Sequence, residues 1–128
     1  LSNMGVKVNV TAIMTIDQVE KVLPGLAQGA GGYVSVFAGR IADSGIDPLP
    51  VMQEAVNLLN DINNVELIWA SPRELYNVVQ ADSIGCHIIT ATNNILKKLP
   101  TIGKDLNQFS LETVKMFYND AQEAGYNI

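Results

Sequence analysis

Hydrophobic and polar positions along this chain follow two alternating rhythms. Residues 6–11 (VKVNVT) interleave β-branched and polar side chains with period two, which predicts a strand. Residues 15–28 (TIDQVEKVLPGLAQ) change to helical spacing, with Thr15 as N-cap and Gln18 completing a capping box. Pro24 and Gly25 lie inside that segment and weaken it as an unbroken helix. A short apolar strand follows at 33–37 (YVSVF). Asp43 to Pro48 is loop material, with Asp47 capping and Pro48 suited to a first helical turn. Met52, Ala55, Val56, Leu59 and Ile62 then recur at helical spacing and predict a helix over 49–61.

The same alternation continues. Residues 65–70 (VELIWA) read as a third strand. Ser71 as N-cap, Pro72 at the first helical position and Glu74 as a capping-box partner open the next helix, which Gly85 ends. Residues 86–91 (CHIITA) read as a fourth strand. Thr92 caps a short helix to about Leu99, and a last helix covers 108–124, with Phe109, Val114, Phe117, Tyr118 and Ala121 on its apolar face. Apolar strands alternating with helices predict a parallel sheet covered on both faces.

Leu1-Ser-Asn-Met-Gly5 resembles the last turn of a helix with Gly5 at C′. A helix tail directly before a parallel strand implies an earlier βα unit. Four units are half of an eight-unit barrel, which takes about 250 residues. The expected fold class is therefore α/β of the (β/α)8 TIM-barrel family. Residues 1–128 form one partial domain of about four βα units, strands five to eight, plus a C-terminal helix. The rival is a small doubly wound domain of flavodoxin type. That fold usually has five strands and a phosphate loop after the first, and Thr11 to Ile16 here contains no glycine.

Composition narrows the classes. Of 128 residues, 48% are hydrophobic and 16% charged, which excludes a disordered chain. Cys86 is the sole cysteine, so a disulfide scaffold is excluded and a reducing, cytoplasmic setting is the expectation. No apolar run reaches the roughly 18 residues of a membrane span, so no membrane partner is expected. A net charge of -5 argues against nucleic acid as a bulk partner.

In parallel α/β folds functional groups collect at the carboxyl ends of strands. The polar residues there are Asn9, Thr11, Ser35, Arg40, Ser71, Arg73, Thr90 and Thr92. Asn9 and Thr11 share one strand face with Lys7 one step lower; they either hydrogen-bond within the sheet or meet a ligand. Arg40 is either a solvated loop residue or an anion ligand, and Gly39 before it permits a close backbone approach or a positive φ. Arg73 in a first helical turn opposes the macrodipole, so either an anion or a pairing with Glu74 or nearby acids accounts for it. Two arginines, each with a serine, suit a doubly charged phosphate. His87 and Cys86 read as structural, Asp43 and Asp47 as turn and cap residues, and the terminal aromatic stripe as core or subunit contact. Metal-ligand spacing, a dinucleotide glycine fingerprint and a nucleophile elbow are not found.

The motifs Gly5-Val-Lys-Val-Asn9-Val-Thr11, Tyr33-Val-Ser35-Val-Phe37-Ala-Gly-Arg40-Ile and Trp69-Ala-Ser71-Pro-Arg73, with the segment Ala81 to Leu99, occur in the order of the last four strands of the transaldolase family. The chain resembles that family, nearer its small type, which includes fructose-6-phosphate aldolases. The resemblance implies a (β/α)8 barrel that forms a lysine Schiff base with a ketose phosphate and transfers a dihydroxyacetone unit, with no cofactor and no metal. It implies that Arg40 with Ser35 grips the substrate phosphate, helped by Ser71 and Arg73. Asn9 would contact substrate hydroxyls, Thr11 would position a water, and Phe37 would line the mouth. The family's Schiff-base lysine lies at the end of the fourth strand, ahead of these motifs, and Lys7 does not match it. Trp69, Pro72 and Ala38 depart from the family's usual residues, which bears on pocket size. The alternatives are a non-catalytic half barrel that binds phosphate or a sugar phosphate, and a structural half barrel that pairs with a second copy or another half.

Overall fold

The computed structural model describes residues 1–126 and divides into two compact units, Leu1–Lys97 and a second beginning at Lys98. The first unit contains β1 (Val8–Ile13), α1 (Ile16–Ala27), β2 (Gly32–Val36), α2 (Ala38–Asp43), α3 (Leu49–Leu59), β3 (Val65–Trp69), α4 (Tyr76–Ser83) and β4 (Ile88–Ile89). It closes with α5 (Asn93–Lys98), whose last residue begins the second unit. All strand pairs are parallel, in the order β1-β2-β3-β4.

That order is informative. Each crossover moves one strand along and never doubles back, whereas a doubly wound sheet reverses at a switch point. Parallel crossovers are right-handed, so an unreversed order lays every connecting helix on the same face. The core agrees. Val34 and Val36 of β2 and Val65, Leu67 and Trp69 of β3 join Val19, Leu23 and Leu26 of α1 and Met52, Ala55, Val56 and Leu59 of α3 in one buried cluster. The other face carries Asn9, Thr11, Tyr33, Ser35, Glu66 and Ile68, of which Asn9, Thr11 and Glu66 are exposed. The predicted two-sided cover is thus corrected: the described helices cover one face, and the flavodoxin-type alternative does not fit the strand order.

Local chemistry explains most element ends. Thr15 accepts from the Gln18 N–H at 3.3 Å, and Gln18 Oε1 accepts from Thr15 N–H at 3.1 Å and Met14 N–H at 2.8 Å, so the capping box of α1 is complete. Pro24 stays inside α1 without ending it. Asp47 Oδ1 accepts from the Leu49 N–H at 2.9 Å and fixes the start of α3. Pro48 precedes that helix instead of entering its first turn. Gly5 has φ 84 and closes a 3-10 turn over Ser2–Met4, where a helix tail was predicted.

Two elements differ from their predicted spans. Helix α4 begins at Tyr76, not at Pro72, because Ser71 has φ 61 and cannot take the extended conformation of an N-cap. The Asn77 side chain instead accepts from the N–H groups of Arg73 (2.8 Å) and Glu74 (3.1 Å). Strand β4 is only Ile88–Ile89. The Leu67 N–H donates to His87 Nδ1 at 3.1 Å, so a side chain occupies the place of a ladder carbonyl. His87 and Cys86 are both structural here. The Cys86 Sγ donates to Leu67 O at 3.6 Å, and burial pushes its thiol pKa up.

The second unit holds a 3-10 turn over Leu99–Thr101 and α6 (Leu106–Glu123). Asp105 caps α6 by accepting from the Gln108 N–H at 2.8 Å. Lys104 pairs with Glu112 and lies 4.7 Å from the Phe109 ring centroid. No residue of α6 is buried, so the stripe of Phe109, Val114, Phe117 and Tyr118 is not core. No helix among the described residues is long and apolar enough to cross a membrane.

Candidate functional site at the carboxyl ends of the strands

Because every strand runs the same way, the segments after β1, β2, β3 and β4 gather on one edge of the sheet. Those after β1 and β3 bring polar groups there through an irregular backbone. On β1 the register with β2 shifts between Val10 and Ile13, and Ala12 takes φ 61. A positive φ in a non-glycine residue is strained. The irregularity falls immediately after Thr11. Lower on the same strand, Asn9 Oδ1 accepts from the Ser35 hydroxyl at 2.8 Å. Ser35 is only 3% exposed. It therefore orients Asn9, whose amide NH2 has no partner among the described residues. Of the two readings left open for Asn9, the hydrogen bond within the sheet is the one observed, and it leaves the amide donors unused.

After β2 the chain enters α2 directly. Phe37 is half-buried at its start, and Arg40 lies on this short helix, exposed, instead of on a loop. Gly39 is required by contact, not by a positive φ. A Cβ there would lie 1.5 Å from the Ser71 carbonyl oxygen and 2.7 Å from its carbonyl carbon. The Gly39 N–H also donates to Ala70 O at 3.4 Å. The missing side chain thus lets α2 rest on the segment that follows β3.

That segment places Ser71, the buried Pro72 and Arg73. Arg73 lies three residues before α4, so its expected opposition to a helix dipole does not arise. Its partner is Asp43, at the end of α2, and not Glu74. The Nε–H donates to Asp43 Oδ1 at 3.0 Å, and Nη2 pairs with Oδ2. Hydrogen bonding from Arg73 holds the Asp43 carboxyl below the usual carboxylate range; desolvation is the next largest influence and opposes it, and the charges of Arg73 and Arg40 add smaller lowering effects. The same bond raises the Arg73 guanidinium. Asp43 is the residue that reading the sequence missed. It stands 30 positions from its partner, and no local spacing signals such a pair.

The candidates do not fill one hollow. Ser71, Arg73, Thr90 and Thr92 line a hollow of about 290 Å3 at the ends of β3 and β4. Arg40 lines another, of about 400 Å3, with Met14, Thr15, Ile16 and Ile46. Ser35 is tied to Asn9 and lines neither. A third hollow, of about 330 Å3, contains Lys7, Tyr33, Glu66 and His87 and lies at the opposite, amino-terminal ends of the strands. None of the lysines sits at a strand's carboxyl end. Lys7 precedes β1, Lys21 is in α1, Lys97 and Lys98 are in α5, Lys104 precedes α6 and Lys115 is in α6. Trp69, expected to bear on pocket size, is 1% exposed, packs under the helices and lines none of these hollows.

The family model described as transaldolase/fructose-6-phosphate aldolase matches residues 1–128. A "Probable transaldolase" of Thermoanaerobacter sp. (strain X514) is 35% identical over 130 residues, covering 100% of this chain and 56% of that protein. A "Probable transaldolase" of Clostridium acetobutylicum is 35% identical over 127 residues, covering 97% and 54%. One of Methanococcus maripaludis is 33% identical over 100 residues, covering 77% and 45%. The chain spans about half the length of the curated relatives it matches. It belongs to the transaldolase/fructose-6-phosphate aldolase family.

Proposed function

We propose that this chain supplies the phosphate-binding half of a transaldolase-type site, corresponding to strands five to eight of a (β/α)8 barrel. The reaction of the whole protein is transfer or aldol cleavage of a dihydroxyacetone unit from a ketose phosphate through a lysine Schiff base. The observation that carries the reading is the unreversed parallel sheet, whose carboxyl ends hold Thr11, Arg40, Ser71 and Arg73, with Asn9 lower on β1, while no lysine stands among them.

Each residue has a task its chemistry suits. Arg73 with Ser71, and Arg40 from the neighbouring element, supply charge-assisted donors to a dianionic phosphate. Asn9, set by Ser35, donates to substrate hydroxyls. Thr11, beside the strained Ala12, positions a water for proton transfer. Phe37 lines the mouth. A Schiff-base lysine must be held largely neutral beside the carbonyl, and this reading places it in the preceding half. The open polar face of the sheet and its two outer strands make association with another half barrel, or a second copy, the expected state. The site of action in this reading is the cytoplasm.

Borohydride trapping with fructose 6-phosphate tests the division of labour. The chain alone is expected to give no lysine adduct, and an adduct would show that the nucleophile is within it. The second reading, a phosphate-binding module without catalysis, is favoured by the same placement of the lysines. Supplying the preceding half separates the two: restored trapping supports the first, and phosphate binding without any trapping supports the second.

A further inference from the structure

Arg73 can bind an anion through two different edges, and one of them is already taken. A guanidinium carries five N–H donors in a rigid fork. Asp43 uses the Nε hydrogen and one Nη2 hydrogen, the side-on edge. Both Nη1 hydrogens and the second Nη2 hydrogen, the end-on edge, have no partner among the described residues. Arg73 also lines the hollow shared with Ser71, Thr90 and Thr92.

Stability is a weak reason for this pair. Its side chains are 46% and 49% exposed, and ion pairs of that exposure contribute little. Simple electrostatics makes the carboxylate look harmful, because a negative charge beside an anion site repels the anion. Yet the backbone is built to hold the two residues together. Gly39 lets α2, which ends in Asp43, rest against the Ser71 carbonyl two residues before Arg73.

We propose that Asp43 is a positioning residue: its carboxylate holds Arg73 by the side-on edge so that the end-on edge is presented, already ordered, to a phosphate group. The inference rests on the reading that Arg73 binds the substrate phosphate and adds how that residue is made ready. Fixing a long side chain beforehand removes the entropy loss that would otherwise oppose binding.

The sign of one substitution separates positioning from repulsion. Inorganic phosphate is titrated calorimetrically at pH 8 into the chain and its variants. Asp43→Asn removes a negative charge, so repulsion predicts tighter binding; positioning predicts binding at least fivefold weaker, partly restored in Asp43→Glu. Thermal melts confirm that the variants are folded. Should Asp43→Asn fail to fold, the unmodified chain decides the question by NMR: the Arg73 Nε–H signal is expected to persist, still bonded to Asp43, at saturating phosphate. Unchanged or tighter binding in Asp43→Asn, or loss of that signal, overturns the role of Asp43. If Arg73→Ala still abolishes binding in that case, the phosphate reading stands alone. No binding of phosphate by the unmodified chain overturns both.

Discussion

Gly39→Ala is the sharpest test of how the site is assembled. The added methyl would sit 1.5 Å from the Ser71 carbonyl oxygen, 2.7 Å from its carbon and 3.2 Å from Arg73 Nε. Ordinary contact begins near 3.4 Å, so α2 or the Ser71 segment must move by roughly 2 Å. The obstructing atoms are backbone, and Ser71 is already at φ 61, so it has little conformational room. Overpacking of this kind costs about 1–3 kcal/mol and occasionally more. We expect about 3 kcal/mol, which lowers Tm by on the order of 10 °C for a chain of this size. Gly25→Ala is the matched control. It lies inside α1 with no neighbour within 4 Å of the added Cβ, and the change should stabilise by about 0.5–1 kcal/mol. Urea unfolding followed by circular dichroism reads both. A Gly39→Ala variant within about 0.5 kcal/mol of the parent, on the scale of a neutral surface change, would refute the close-contact argument.

Three further outcomes follow from single contacts. The Asp43 carboxyl titrates below its unfolded value of about 3.8, so the stability from its pairing is present above about pH 4 and is lost as pH falls through the lower folded value. Because the pair is half exposed that stability is small, so the check is an NMR titration: the Asp43 carboxyl should titrate lower in the parent than in Arg73→Ala, and equal values contradict the pairing. Cys86 is partly buried with a raised pKa, so at pH 8 its alkylation should be at least tenfold slower in the native chain than in urea, and equal rates contradict its burial. Trp69 is buried with an indole N–H that finds no partner among the described residues. Trp69→Phe should cost less than about 2 kcal/mol and Trp69→Ala about 3–5 kcal/mol, measured by urea unfolding; equal losses would show that the N–H is bonded after all.

How much of this was legible in the sequence depends on how local each cause is. The start of α1 was readable because Thr15 and Gln18 are three apart and settle the matter between themselves. The core face of α3 was readable from spacing. The start of α4 was not, since Ser71, Pro72 and Glu74 spell a capping sequence that the Gly39 contact overrides from 32 residues away. The fourth strand shortened because His87 offers Leu67 a side-chain acceptor, which no propensity encodes. The placement of polar groups at the strand ends followed from the parallel fold. The pairing among them did not: Ser35 with Asn9 and Asp43 with Arg73 both join residues on different elements.

The unreversed strand order has a consequence for divisibility. When each βα unit adds its strand beside the last one, a cut between units passes through a single seam of backbone hydrogen bonds. Every piece keeps a contiguous sheet and the helices that cover it. A chain of half length can therefore retain a core of its own here, as the cluster between the sheet, α1 and α3 does.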